Sequence, residues 1–206
     1  MNPRLAYWLS VLFHPLLLPS MLYAVLFYFS PASVSPLSGT LRLYVLGGIA
    51  IATFLIPALF IYVLYQFEAI TSLQLDNQHD RTLPLLVTTI VYGTFTYFFA
   101  MKLGSITSVY LILGSITVAV GLVTLINLFW KISAHSVGIS GVVGSLIGIH
   151  FKYADSELFY PILVSIPVAG FLMSARLALN AHNPLQILAG CALGLSISLG
   201  TVYWLV

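Results

Sequence analysis

Few residues in this chain can do chemistry, and they sit close together. Lys131, Ser133 and His135 fall within one short stretch, and Arg176, His182 and Gln186 within another. Ser133 is a good helix N-cap, and the free N–H groups of a helix start bind anions. Arg176 closes an apolar run, His182 stands in the turn after it, and Asn183-Pro184 opens the next run with proline in the first helical turn. Arginine suits phosphate because its planar fork donates two parallel hydrogen bonds. Cations and two imidazoles beside helix starts therefore make a candidate phosphate site.

Each of these residues also has a plain structural reading. His135 and His182 can tie helix ends together, Arg176 can snorkel to an interface, and Ser133 can cap its helix while serving a site. His14, just ahead of Pro15, can line a cavity or hydrogen-bond within a bundle. His79 reads as solvated, and His150 has no assigned role. Asp76 and Asp80 share a helix face and can hold Mg²⁺ against a diphosphate, as in membrane prenyltransferases. Those enzymes need two Asp-rich stretches, and only one is present here.

The elements that position these residues are apolar helices. Of 206 residues, 60% are hydrophobic and 6% charged, against roughly 25% charged in a soluble domain. Twelve charged side chains cannot cover a water-exposed surface, so lipid is the solvent for most of the chain. A net charge of +2 is too small to suggest a nucleic-acid partner. The lone Cys191 cannot form an internal disulfide, and no cysteine cluster exists to bind metal. The first apolar run is longer than a signal-peptide core of roughly 7–15 residues, so it reads as a retained span.

Seven spans are predicted at Leu5–Phe29, Leu41–Gln66, Leu83–Met101, Ile106–Trp130, Val137–Phe151, Phe159–Leu179 and Leu185–Val206. The fifth helix is expected to begin nearer Ser133. Trp8, Trp130 and Trp204 lie near span ends, as in aromatic belts. Residues 1–206 read as one all-α, polytopic transmembrane bundle of six to seven spans. Ser136, Ser140, Gly144 and Gly148 form an i, i+4 ladder in the fifth span, and Gly190, Gly194 and Ser198 another in the seventh. Small residues let backbones approach closely in lipid, which predicts that these two helices are central.

Counting crossings puts Asp76, His79, Asp80, Arg81, Lys131, His135, Arg176 and His182 on one membrane face. The opposite face holds Arg42, Lys102, Lys152, Asp155 and Glu157. With the candidate site cations set aside, the site face keeps only Arg4, and the positive-inside rule puts the site outside the cytoplasm. Counting every basic residue reverses the margin.

At this point the chain resembles the type-2 phosphatidic acid phosphatase superfamily, whose motifs are K-x-x-x-x-x-x-R-P, P-S-G-H and S-R-x-x-x-x-x-H-x-x-x-D. Ser133-Ala134-His135 matches S-G-H with Ala for Gly. Arg176 and His182 stand at the third motif's spacing, with Gln186 where Asp is usual, and Ala189-Gly190 continues in the family's manner. Arg81 fits the first motif, but Thr82 follows it, the proline is Pro84, and the lysine position holds Gln74. The motif-bearing core spans about residues 74–190.

The resemblance implies that core fold and a metal-independent hydrolase, without cofactor, acting on a membrane lipid phosphate such as phosphatidic acid, or on an isoprenyl diphosphate. In it His182 would attack phosphorus and become phosphorylated, and His135 would protonate the leaving oxygen. Arg81, Arg176 and Ser133 would hold the phosphoryl oxygens. Lys131 is a candidate for the missing lysine, Gln186 for orienting His182, and Asp80 or Asp76 for the missing carboxylate. The family's usual arrangement also faces the site outward, from a plasma or inner membrane. The alternative is a non-catalytic relative that binds or moves a lipid-linked phosphate, which Gln186, Gln74 and Ala134 favour.

Overall fold

In a computed structural model, which describes residues 1–30, 37–75, 77–104 and 106–206, the chain is a helical bundle. The described helices are α1 (Pro3–Leu12), α2 (Leu18–Phe29), α3 (Gly39–Ala50), α4 (Ile56–Gln66), α5 (Gln78–Lys102), α6 (Thr107–Asn127), α7 (Ala134–Tyr153), α8 (Phe159–Ala178) and α9 (Pro184–Trp204). A π-helical turn, Ile51–Leu55, joins α3 to α4, and a 3₁₀ turn, Ser156–Leu158, leads into α8. Six of the resulting stretches are long and apolar enough to cross a membrane, beginning with Gly39–Gln66. The chain is thus an integral membrane protein by length and composition of its helices, and its outward-facing side chains, such as Leu43, Tyr44, Phe151 and Leu188, are apolar.

The first predicted span is corrected. Leu5–Phe29 is not one helix but two, broken between Leu12 and Leu18. Pro15 lacks an N–H and its ring disfavours helical backbone at His14, so the apolar run cannot continue through it. Ser10 and His14 lie beside His135, at the start of α7, whereas the Ser30 hydroxyl donates to Asp155 Oδ2 (2.5 Å), past the end of α7. The connection between these two levels is therefore made by α2, while α1 packs against α8.

Packing follows the small residues. A Cβ added at Gly194 would lie 2.2 Å from both Ser140 Oγ and the Val137 carbonyl oxygen, and one at Gly190 would lie 2.9 Å from the Ser133 carbonyl oxygen. The two predicted ladders therefore face each other, and glycine is required where α7 and α9 cross. Half of α7's apolar window is buried, against 22–33% in the other five spans. Thus α7 is the central helix. The seventh predicted span, α9, is not equally enclosed, because its other face carries exposed Leu185, Leu188 and Trp204.

Several polar links hold the end of the bundle where α5, α7 and α9 begin. Asn127 Nδ2 donates to the Gln78 carbonyl (2.9 Å) and to Thr82 Oγ1 (3.1 Å), and Gln78 Nε2 donates to the Asn127 carbonyl (2.7 Å). This clamp fixes the first turn of α5 against the last turn of α6. The Ser133 N–H donates to the Gln186 carbonyl (3.4 Å), joining the starts of α7 and α9. At the opposite end, Arg42 donates to the Phe27 and Leu37 carbonyls and Lys152 to the Val202 carbonyl. His150 Nδ1 meets the Asp155 carbonyl at 2.7 Å, a structural role in the turn after α7.

Candidate anion site

One cavity of about 500 Å³ receives Arg81, Lys131, His135, Arg176 and His182. The five side chains come from the first turns of α5, the α6–α7 turn, the first turn of α7, the last turn of α8 and the α8–α9 turn. Residues far apart in sequence thus converge at one end of the bundle, the end on which crossing parity grouped them. Arg81 and His182 are buried. The rest of the wall is largely apolar, and along α5 it runs from Arg81 past Leu85 and Thr88 to Tyr92, about 16 Å at the helical rise. Tyr92 is fixed there by a hydrogen bond from its hydroxyl to the Thr53 carbonyl (2.8 Å) within the π-helical turn.

His182 has a defined hydrogen-bonding state. The Asn183 N–H donates to Gln186 Oε1 (3.1 Å), and the Gln186 N–H donates to Asn183 Oδ1 (2.9 Å), a reciprocal capping box at the start of α9. Because Oε1 is an acceptor in that box, the 3.1 Å contact between it and His182 Nδ1 requires Nδ1 to carry the proton. The neutral ring then keeps its lone pair on Nε2. Burial holds the His182 pKa down to about 3, and the positive charge of Arg81 adds to this; the bond to Gln186 works the other way, while Arg176 and Lys131 lower it further. His182 is therefore a neutral imidazole at physiological pH, surrounded by cations.

His135 is fixed from the other side. Its Nε2 meets the Ser10 carbonyl at 3.1 Å, and since a carbonyl only accepts, Nε2 carries a proton and Nδ1 is the nitrogen that can exchange one. His14 lies beside it, ring to ring in an edge-to-face contact of 5.9 Å, and lines the cavity. Gln74 lines the cavity as well.

Three of the expected site residues stand elsewhere. Ser133 is wholly buried and does not line the cavity; its hydroxyl oxygen accepts from the Ser136 N–H (3.3 Å) and hydroxyl (3.0 Å), so it caps α7. Gln186 touches the site only through His182. Asp80 is partly exposed, outside the cavity, and its Oδ2 accepts from the Thr71 N–H (3.2 Å) and hydroxyl. A carboxylate committed to that loop does not orient His182, and among the described residues Gln186 is what His182 Nδ1 meets. Asp76 lies outside the described residues. Among those residues, no group of three His, Cys, Asp or Glu is arranged to hold a metal. The Ser10 carbonyl and the Gln78–Asn127 clamp carry no signal in the sequence, where His14 reads as a residue that can line a cavity or hydrogen-bond within the bundle. A backbone carbonyl has no sequence signature, and the only signal for His14 was the proline that follows it.

Fold and site together define an integral membrane helical bundle with a cation-lined cavity open to an apolar interior. The chain has no significant match among protein-family models, curated proteins or solved structures.

Proposed function

We propose that this protein hydrolyses a lipid-borne phosphate or isoprenyl diphosphate, without a metal, through a phosphohistidine on His182. The observation that carries this reading is the convergence of Arg81, Lys131, His135, Arg176 and His182 on one cavity whose depth is apolar. A phosphate fits the charged end and a lipid tail the remainder. The reading also rests on the likeness to the type-2 phosphatidic acid phosphatase superfamily, and with it on a site facing outward from its membrane.

The mechanism follows from the hydrogen bonds. His182 Nε2 attacks phosphorus, the P–O bond to the lipid breaks, and Arg81, Arg176 and Lys131 offset charge on the phosphoryl oxygens. His135 Nδ1 passes to the leaving oxygen a proton that a monoprotonated phosphate group brings into the site, while its Nε2–H stays on the Ser10 carbonyl. In the second half, Nδ1 takes a proton from water as that water attacks phosphorus. The P–N bond breaks and its electron pair returns to His182 Nε2.

One observation favours a second reading, a non-catalytic relative that binds or moves a lipid-linked phosphate. Gln186 accepts from His182 but brings no negative charge to stabilise a phosphorylated, cationic imidazole. Losing that charge in a serine-protease triad costs about 10⁴ in rate. Phosphate release by purified protein in detergent with EDTA separates the two. Phosphatidic acid, phosphatidylglycerol phosphate and an isoprenyl diphosphate are offered to wild type and to His182→Ala. Release that the variant abolishes is the expected result; no release above the variant on any lipid would overturn hydrolysis and leave the binding reading.

A further inference from the structure

His14 belongs to none of the resembled motifs, yet the break in the first apolar run puts it in the cavity. His14, Pro15, Leu16 and Leu17, four of the five residues between the two helices, line it. Non-helical backbone at membrane depth is tolerated where it is buried in protein or lines a cavity. The break therefore fits a cavity wall rather than a damaged span.

The break also sets the chemistry of the ring. The Leu16 N–H donates to His14 Nδ1 (3.3 Å), so Nδ1 is an acceptor and the neutral ring carries its proton on Nε2. The last turn of α1, just before the break, supplies the Ser10 carbonyl that fixes the neighbouring His135. Thus the two rings have opposite arrangements: His14 offers a fixed Nε2–H, and His135 an Nδ1 that exchanges protons. Arg176 of α8, His182, Arg81 and Lys131 line the same cavity. A neutral imidazole held as a donor suits an anion's oxygen, because its orientation is set before the anion arrives.

We infer that His14 is a hydrogen-bond donor to the bound anion, its Nε2–H directed at an oxygen of the phosphate group that Arg176 also holds and that faces the lone pair on His182 Nε2. This rests on the anion-binding half of the proposed function and not on turnover. The broken N-terminal run is thereby part of the site.

The test uses the full chain in detergent, labelled with ¹⁵N-histidine and titrated with orthovanadate. His14 signals are assigned by their loss in His14→Gln. The expected result is a protonated Nε2 and an unprotonated Nδ1 on His14, both shifting saturably with vanadate. His14→Phe, which keeps a ring against His135, is expected to bind vanadate roughly 10–100-fold more weakly, the effect of one hydrogen bond to a charged group. His14→Gln, which keeps an N–H, recovers part of that loss, and His79→Ala binds as wild type. Thermal unfolding of each variant shows whether it folds; if His14→Phe does not, the wild-type His14 signals decide. Unmoved His14 signals while those of His182 shift, or a folded His14→Phe that binds vanadate as tightly as wild type, would overturn the inference. If no histidine responds to vanadate, the anion site falls and this inference with it. If His14 responds but no lipid is hydrolysed, hydrolysis falls and the inference stands.

Discussion

Replacing Gln186 by glutamate changes one atom type at the point where this site departs most from a charged relay. The carboxylate can accept from both the Asn183 N–H and His182 Nδ1–H, as Oε1 does now at 3.1 Å each. A unit negative charge at that distance attracts an imidazolium by ~5 kcal/mol at an effective dielectric of ~20. Desolvation of the carboxylate takes back part of this, and opposite charges at such range usually move a pKa by about 1–3. His182 is thus expected to rise from about 3 to roughly 4–6. Glutamate at the third position of α9 also suits the positive helix end, worth about 0.3–1 kcal/mol. The assay is a histidine NMR titration in detergent, with His182 assigned from His182→Ala. In wild type the ring stays neutral from pH 8 to 5; in Gln186→Glu it begins to take up a proton as pH approaches 5. Unchanged titration would refute the hydrogen bond on which the tautomer of His182 was derived. If the chain hydrolyses a lipid phosphate, the same substitution raises the rate by roughly 10–1,000-fold at most, the same differential expressed on a phosphorylated imidazole.

The depressed pKa of His182 also makes stability depend on pH. The unfolded chain takes up a proton near 6.5, which the folded chain resists until about 3, so stability is lost as pH falls through that window and the group costs nothing above it. Thermal unfolding in detergent between pH 8 and 5 is expected to show a decline that is shallower in His182→Asn; equal slopes would count against a buried, neutral His182. Gly194→Ala forces a Cβ to within 2.2 Å of Ser140 Oγ and of the Val137 carbonyl oxygen, so α7 and α9 must separate, at a cost of about 1–3 kcal/mol. Gly200→Ala in the same helix meets nothing within 4 Å and is expected to leave stability unchanged or raise it by up to ~1 kcal/mol. Equal melting temperatures for the two variants would refute the close crossing.

Much of this arrangement is legible in the residues because lipid simplifies the code. Apolar runs near the bilayer length, separated by short polar connections, delimit α5 to α9 within a few residues. The ladders from Ser136 to Gly148 and from Gly190 to Ser198 announce a close crossing because only small side chains permit one. Crossing parity alone groups Arg81, Lys131, His135, Arg176 and His182. The first span escapes this code because composition is insensitive to where a helix stops. Leu5–Phe29 is apolar almost throughout, and one His-Pro pair decides its geometry. Three-dimensional pairings such as Gln78 with Asn127, 49 positions apart, leave no local trace. Asp80 was drawn toward the site by a shared membrane face, but a face is broad, and Thr71 holds its carboxylate elsewhere on it.

The donors around this cavity and the neutral Gln186 behind His182 push its energetics in one direction. On the proposed reading, arginines, a lysine and an N–H donor at His14 would act on phosphate oxygens that are charged both in the bound state and in the transition state. Such contacts tighten binding without favouring the reaction to the same degree. A carboxylate behind His182 would act differently, since in the proposed reaction the imidazole would gain positive charge only as it attacks phosphorus. Gln186 removes that selective term and leaves the uniform one intact. Wild type is therefore expected to combine tight vanadate binding with slow phosphate release. Gln186→Glu should speed release and leave vanadate affinity unchanged or weaker, because the new charge faces the imidazole and repels the anion beyond it.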